Sequence, residues 1–104
     1  MDSIYIDKPE LDLGDVIQGD AKEFEFVLVN HSSETISLSD AVVTCGCTVP
    51  DWSTEPIFSK DERVIKARFN SEKKEGFIRK KIVLVLSNGE RRTFSFLVNV
   101  IIEE

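Results

Sequence analysis

Apolar and polar residues alternate along most of this chain in short runs, and turn-forming residues break each run. Ile4 and Ile6 open the first run. Leu11-Asp12-Leu13 continues it past Pro9, a residue that suits a strand start or a sheet edge. Gly14-Asp15 and Gln18-Gly19-Asp20 have turn chemistry. The run from Glu23 to Val29 alternates and then becomes apolar on both faces, and Asn30-His31-Ser32-Ser33 is the next expected turn. Thr35 to Ser39 predicts a third strand with Ile36 and Leu38 inward. Pro50 and Pro56 bracket an irregular stretch that holds Trp52, and Ser59-Lys60-Asp61-Glu62 is turn-like. From Val64 to Phe69 the alternation places Ile65, Ala67 and Phe69 inward. Asn70 to Gly76 is a charged loop, and Phe77 to Leu86 is a long strand. Ser87-Asn88-Gly89-Glu90 predicts a hairpin, because Asn-Gly supplies the two positive-φ residues of a type I′ turn. The returning strand, Thr93 to Val100, turns Phe94, Phe96, Val98 and Val100 inward.

No window of helical length carries a 3.6-residue apolar stripe. About seven strands at this turn spacing, as counted from the sequence, predict an all-β sandwich. There is no repeat, no low-complexity segment and no linker, so residues 1–104 are expected to form one domain. A chain of this length buries roughly 60–70% of its unfolded surface, enough for a core without added support.

Charge narrows the partners. The chain carries 13 Lys and Arg against 19 Asp and Glu, a formal net charge of −6. Nucleic-acid binding needs clustered cations to contact phosphates and is not expected. The basic run Arg79-Lys80-Lys81 reads as a solvated strand end. No apolar run approaches the ~18 residues of a membrane-spanning helix, so no transmembrane segment is expected. Met1-Asp2-Ser3 leads into mixed polar sequence rather than a signal peptide, although a chain that had lost its signal would begin the same way.

Both cysteines fall in Cys45-Gly46-Cys47. Three chemistries fit such a pair: a reactive dithiol, part of a metal site, or a tight loop that tolerates sulfur. The spacing is not the C-x-x-C of thioredoxin-like motifs. A bridge across three residues would stabilise by only roughly 1.6 kcal/mol through chain entropy. A thiolate nucleophile needs a nearby cation, a helix N-terminus or a metal, whereas Asp40 and Asp51 are the nearest ionisable neighbours along the chain. Zinc normally takes four ligands, and the chain offers two sulfurs and its single histidine, His31; a soft ion such as Cu(I) could accept the two thiolates alone. Glu10, Asp12, Asp15 and Asp20 lack the spacing of a calcium loop.

The same segment carries a family resemblance. Cys45-Gly46-Cys47-Thr48-Val49-Pro50, with Trp52 two residues on, resembles the "CGCT-x-P-x-W" stretch of the bacterial domain-of-unknown-function family 1573. Leu13-Gly14-Asp15-Val16 with Gly19, Phe24-x-Phe26 leading to Asn30, Glu55-Pro56-Ile57, Ala67-x-Phe69, and Gly76 followed by Lys80, Lys81 and Ser87-Asn88 match the rest of the family pattern in order. Ser59-Lys60 departs from it, since the family usually has Pro-Gly there. Leu13 also departs, standing where Phe is common. The resemblance implies an immunoglobulin-like β-sandwich related to PapD and ASH domains, in proteins that are mostly exported and abundant in Bacteroidetes. It implies no activity.

The expected function is therefore a non-catalytic, exported interaction module, periplasmic or at the cell surface. Its expected partner is a protein, with weak self-association through edge strands as the oligomeric expectation. The candidate binding residues are Cys45, Gly46, Cys47, Thr48 and Trp52; no catalytic residue, metal or cofactor is assigned. Trp52 fits either a core plug or a binding anchor. The alternative is a thiol redox or soft-metal-binding domain that uses Cys45 and Cys47.

Overall fold

The computed structural model describes residues 3–103; Met1, Asp2 and Glu104, and with them the limits of the expected domain, lie outside the described residues. Eight strands follow one another among the described residues: β1 (Ile4–Asp7), β2 (Glu10–Ile17), β3 (Ala21–Asn30), β4 (Leu38–Val43), β5 (Thr48–Asp51), β6 (Asp61–Asn70), β7 (Gly76–Leu86) and β8 (Arg91–Ile101). They form two four-stranded sheets, ordered β1-β3-β6-β5 and β2-β8-β7-β4. The sheets pack face to face as an all-β, immunoglobulin-like sandwich.

The alternating pattern builds the core directly. Ile65, Ala67 and Phe69 of β6 are buried, as are Phe94, Phe96, Val98 and Val100 of β8. Phe26 of β3 stacks on Phe94 with ring centroids 4.1 Å apart, and Phe24 lies 4.8 Å from Phe96. The aromatic rings thus join the middle strands of the two sheets, where each removes the most apolar surface from water.

Several features depart from the pattern reading. First, Leu11-Asp12-Leu13 does not continue the first strand. Lys8 takes a left-handed φ of 55°, Pro9 follows, and the chain leaves the β1 sheet for the other one, where β2 runs parallel to β8. Second, Gly14-Asp15 is no turn. It is a bulge inside β2: Gly14 has φ 75°, and the register skips from Asp12↔Leu97 to Asp15↔Asn99. The Gly14 N–H donates to Asp12 Oδ1 at 2.8 Å, which fixes the kink. Third, the third strand starts at Leu38 and runs on to Val43, while Ile36 makes only an isolated bridge to Ile57. Pro50, read as the border of an irregular stretch, sits inside β5, whose place at a sheet edge tolerates the missing N–H.

Fourth, the hairpin turn differs in type. Of the two residues expected at positive φ, only Gly89 has it, at 88°. Gly89 N–H donates to Leu86 C=O at 2.9 Å and Leu86 N–H to Glu90 C=O at 2.8 Å. That is a type I turn followed by a left-handed glycine bulge. The Asn88 side chain accepts from Glu90 N–H at 2.9 Å, an alternative to the left-handed conformation that the sequence does not distinguish.

Lys60 holds a left-handed φ of 69° at the position where the resembled family carries glycine. Lys60→Gly is expected to raise stability by up to about 1 kcal/mol. A relieved cost of about 1–2 kcal/mol is partly offset by about 0.4–1 kcal/mol of added unfolded-state entropy. Denaturant unfolding of the two proteins checks this.

Candidate functional site

β4 belongs to one sheet and β5 to the other, so the link Thr44–Cys47 must cross the sandwich at its end. Cys45 and Cys47 are joined by a disulfide within this link. Three hydrogen bonds shape the crossing. Cys47 N–H donates to Cys45 Sγ at 3.2 Å, Thr48 N–H donates to Cys45 C=O at 3.2 Å, and Asn70 N–H donates to Cys47 C=O at 2.7 Å. The last one clamps the loop to the end of β6. Cys45 and Cys47 are partly exposed and Gly46 is exposed, whereas Thr48 is only 3% exposed. Thr48 therefore anchors the loop from behind and offers no surface to a partner.

Gly46 does not have a positive φ, and no atom lies within 4 Å of where its Cβ would be. The loop does not need glycine for its backbone. What glycine leaves there is a bare, flat tip.

The fold adds residues that the sequence reading did not place here. Cys45, Gly46 and Cys47 share an open depression of about 480 Å³ with Asn70, Glu72, Lys73 and Lys74. No cation flanks the cysteines along the chain, but the β6–β7 loop brings two lysines beside them. Ser71 holds that loop in place. It is fully buried, its hydroxyl donates to Asp20 C=O at 2.6 Å and Ile17 C=O at 3.0 Å, and it accepts from Gly19 N–H at 3.0 Å. Gln18 Nε2 adds a bond to Lys74 C=O at 2.8 Å. The loops at 18–20, 44–47 and 71–75 thus form one connected end of the sandwich. The only sequence signal for this grouping was the charge of the Asn70 to Gly76 segment, which says nothing about its neighbours.

Trp52, a candidate member, lies elsewhere, and so does His31, weighed above as a ligand. Trp52 is partly buried against the core and follows β5, which separates it from Cys47 by a four-residue strand of about 13 Å. His31 follows the far end of β3: Ala21 pairs with Asn70 beside the cysteine loop, while Asn30 pairs with Asp61. Ten residues of strand, about 33 Å, stand between His31 and the cysteines, so it serves them neither as base nor as ligand. Its ring meets Tyr5 edge-on at 5.6 Å instead. The acids Glu10, Asp12 and Asp15 are engaged separately, with Arg79, Gly14 N–H and Asn99. Among the described residues no three His, Cys, Asp or Glu side chains converge in a metal-holding group.

Residues 4–102 match the model of a family described as protein of unknown function (DUF1573). No curated protein matches the sequence. Among solved structures, the chain is similar to the ASH/PapD-like domain 7 of human CEP192, with TM-score 0.75 and 14% identity over 98% of this chain and 87% of that one. It is also similar to a Porphyromonas gingivalis protein of unknown function, with TM-score 0.77 and 10% identity over 93% of this chain and 47% of that one. A third likeness is the YadV chaperone, with TM-score 0.68 and 14% identity over 94% of this chain and 52% of that one. The chain therefore spans about half the length of the last two. At these identities the likeness shows the fold.

Proposed function

The chain belongs to the DUF1573 family, which brings a sandwich and no known reaction; from that premise we propose that it is a non-catalytic binding module whose partner is a protein. The observation that carries this reading is the cysteine loop itself. A disulfide, a main-chain bond from Asn70 and a buried Thr48 anchor an exposed glycine tip at one end of a packed scaffold. Preorganised loops on rigid sandwiches bind without an ordering cost. We assign the contact to Cys45, Gly46 and Cys47, flanked by Lys73 and Lys74, with Trp52 supporting the loop's strand from the core. Residues 1–104 act as one such module. That one similar sandwich belongs to a chaperone agrees with a protein partner. The disulfide also supports export to the periplasm or cell surface, since such bonds persist in oxidising compartments. No helix among the described residues is long and apolar enough to cross a membrane.

Gly46→Arg tests the reading, because open space over Gly46 lets the variant fold while a guanidinium covers the tip. Proteins retained by the native chain are purified and titrated against both forms. The expected result is loss of binding with an unchanged unfolding midpoint. The double variant Cys45→Ser/Cys47→Ser should lose only about 1–2 kcal/mol, in line with its three-residue ring. Lys73 and Lys74 beside the pair favour one second reading, a thiolate stabilised in the reduced state for redox or soft-metal work. Disulfide reductase activity that Cys45→Ser abolishes, or stoichiometric metal in the native protein, would establish it over the first.

A further inference from the structure

β7 is longer than the strand beside it. It pairs with β8 from Gly76 to Val85, but with β4 only from Ile82 to Leu86, because after Val43 the chain turns into the cysteine loop and crosses to the other sheet. From Gly76 to Lys80 the β4 side of β7 has no strand against it.

The hydrogen-bond alternation of an antiparallel ladder says which groups face that gap. Leu86 N–H and C=O point to the β8 side, at Glu90 and Gly89, while Ser87 N–H points to the β4 side, at Ser37 C=O. Counting back by twos, even-numbered residues of β7 face β8 and odd-numbered ones face β4. Phe77 and Arg79 therefore direct their main-chain N–H and C=O groups into the gap. Neither has a main-chain partner on that side among the described residues.

Side chains at the gap are unusual for this chain. Phe77 is 89% exposed, the most exposed of the large apolar residues. Arg79 and Lys81 share its outer face, Lys80 lies on the opposite face, and Ile78, partly buried, packs at the lip of the core. Among the described residues one ion pair forms here, Arg79 to Glu10 at 3.0 Å, on two half-exposed side chains. Arg79, Lys80 and Lys81 thus make a basic edge on a chain of net charge −6, while Glu72 and Glu75 offset Lys73 and Lys74 in the loop before it. Lysines on an edge strand commonly serve only to prevent self-pairing. That role explains the charges, but it does not explain a bare phenylalanine on the same open edge.

We propose that the β7 edge from Gly76 to Lys80 accepts an extended acidic segment of a partner protein as an added strand, in line with β4. The proposal rests on the binding-module reading for the existence of a protein partner and names where and how that partner is held. Main-chain bonds to Phe77 and Arg79 supply the ladder. Acidic side chains on the outer face meet Lys81, while Arg79, held by Glu10 across β8, contributes its main chain, and apolar side chains on the inner face cover Ile78. A second copy fits poorly, because β7 against β7 sets Arg79, Lys80 and Lys81 across from like charges.

The experiment is an amide NMR titration of the whole chain with a short capped peptide alternating glutamate and valine, and with the same peptide N-methylated so that it cannot ladder. Expected are shifts and slowed hydrogen exchange at Phe77 and Arg79 with the first peptide alone, weakening as salt rises. Lys81→Glu should weaken binding about fivefold or more, the scale of a surface charge pair turned repulsive. Phe77→Pro removes one edge N–H and should abolish binding; Lys81→Glu, at an exposed position, keeps the test valid if the proline variant fails to fold. Silence at Phe77 and Arg79, equal binding of the N-methylated peptide, or protection of these amides by dimerisation of the chain itself would each overturn the proposal. A protein partner that Gly46→Arg releases and Lys81→Glu does not would overturn the edge proposal alone; a chain that retains no partner at all removes the reading beneath it.

Discussion

Phe94→Ala is expected to cost about 3–5 kcal/mol, the usual range for removing a fully buried phenylalanine. Phe94 is 0% exposed. It lies on β8, which carries both β2 and β7 as neighbours, so the cavity would open in the middle of a sheet where no edge can collapse inward. Its ring is nearly parallel to that of Phe26, at 4.1 Å and 6°, and is stacked at 6.0 Å on Phe24, so one truncation strips partners from two aromatic neighbours on the facing sheet. Domains of this size are stable by about 5–15 kcal/mol, so the loss is a large fraction of the total. Denaturant titration measures it. Phe58→Ala is the control, since Phe58 is 60% exposed and should change stability little. A cost for Phe94→Ala below about 1 kcal/mol would mean the two sheets do not pack as described.

What the alternation made legible is the part of the fold where period and burial agree. Phe94, Phe96, Val98 and Val100 occupy alternate positions and all are buried, as do Ile65, Ala67 and Phe69. The hairpin at Asn88-Gly89 was placed by its turn residues, though their dihedrals were not, because Asn88 satisfies Glu90 N–H without leaving the right-handed region. The sheet switch at Lys8-Pro9 was not legible, since a strand that changes sheets keeps its alternation. The bulge at Gly14 was mistaken for a turn because glycine with positive φ serves both. β5 was missed because its four residues include Pro50, which argues against a strand everywhere but at an edge.

The candidate site was legible in the same measure. Of the three readings of Cys45-Gly46-Cys47, the tight loop is the one whose geometry the structure has, closed by a disulfide. Lys73 and Lys74 could not be foreseen beside it, because their position follows from the β5–β6 register Thr48↔Phe69, which the bond from Asn70 N–H to Cys47 C=O continues. Trp52 is near the cysteines in sequence, yet an extended strand carries the chain away at about 3.3 Å per residue, where a tight turn would have kept them together. Nearness in sequence is a poor guide to a site in an all-β fold, and the open edge of β7 is invisible without the pairing of three separate strands.

Asn30→Ala is expected to cost about 2–4 kcal/mol, and Asn30→Asp more at neutral pH. Asn30 is 0% exposed at the end of β3. Its Nδ2 donates to Glu34 C=O at 2.9 Å, Ile57 C=O at 3.0 Å and Phe58 C=O at 3.3 Å, and its Oδ1 accepts from Ser32 N–H at 3.1 Å. One amide thus ties the 31–36 turn to the segment entering β6, where neither turn has a strand of its own. Alanine leaves buried carbonyls without donors. Aspartate places an acceptor against three carbonyls, and burial among them disfavours its charged form. The folded-state pKa of such an aspartate lies above the unfolded value of about 3.9. Its stabilising, protonated form is then present at low pH and lost as pH rises through the folded pKa, so Asn30→Asp should approach Asn30→Ala or better on acidification. Denaturant midpoints across pH give the comparison. Faster amide exchange at Ser32 and Ile36, with exchange at Thr48 and Asn70 unchanged, would locate the damage at the end opposite the cysteine loop. A variant that loosens both ends equally would show that the two loop clusters are coupled through β3 rather than built independently at its termini.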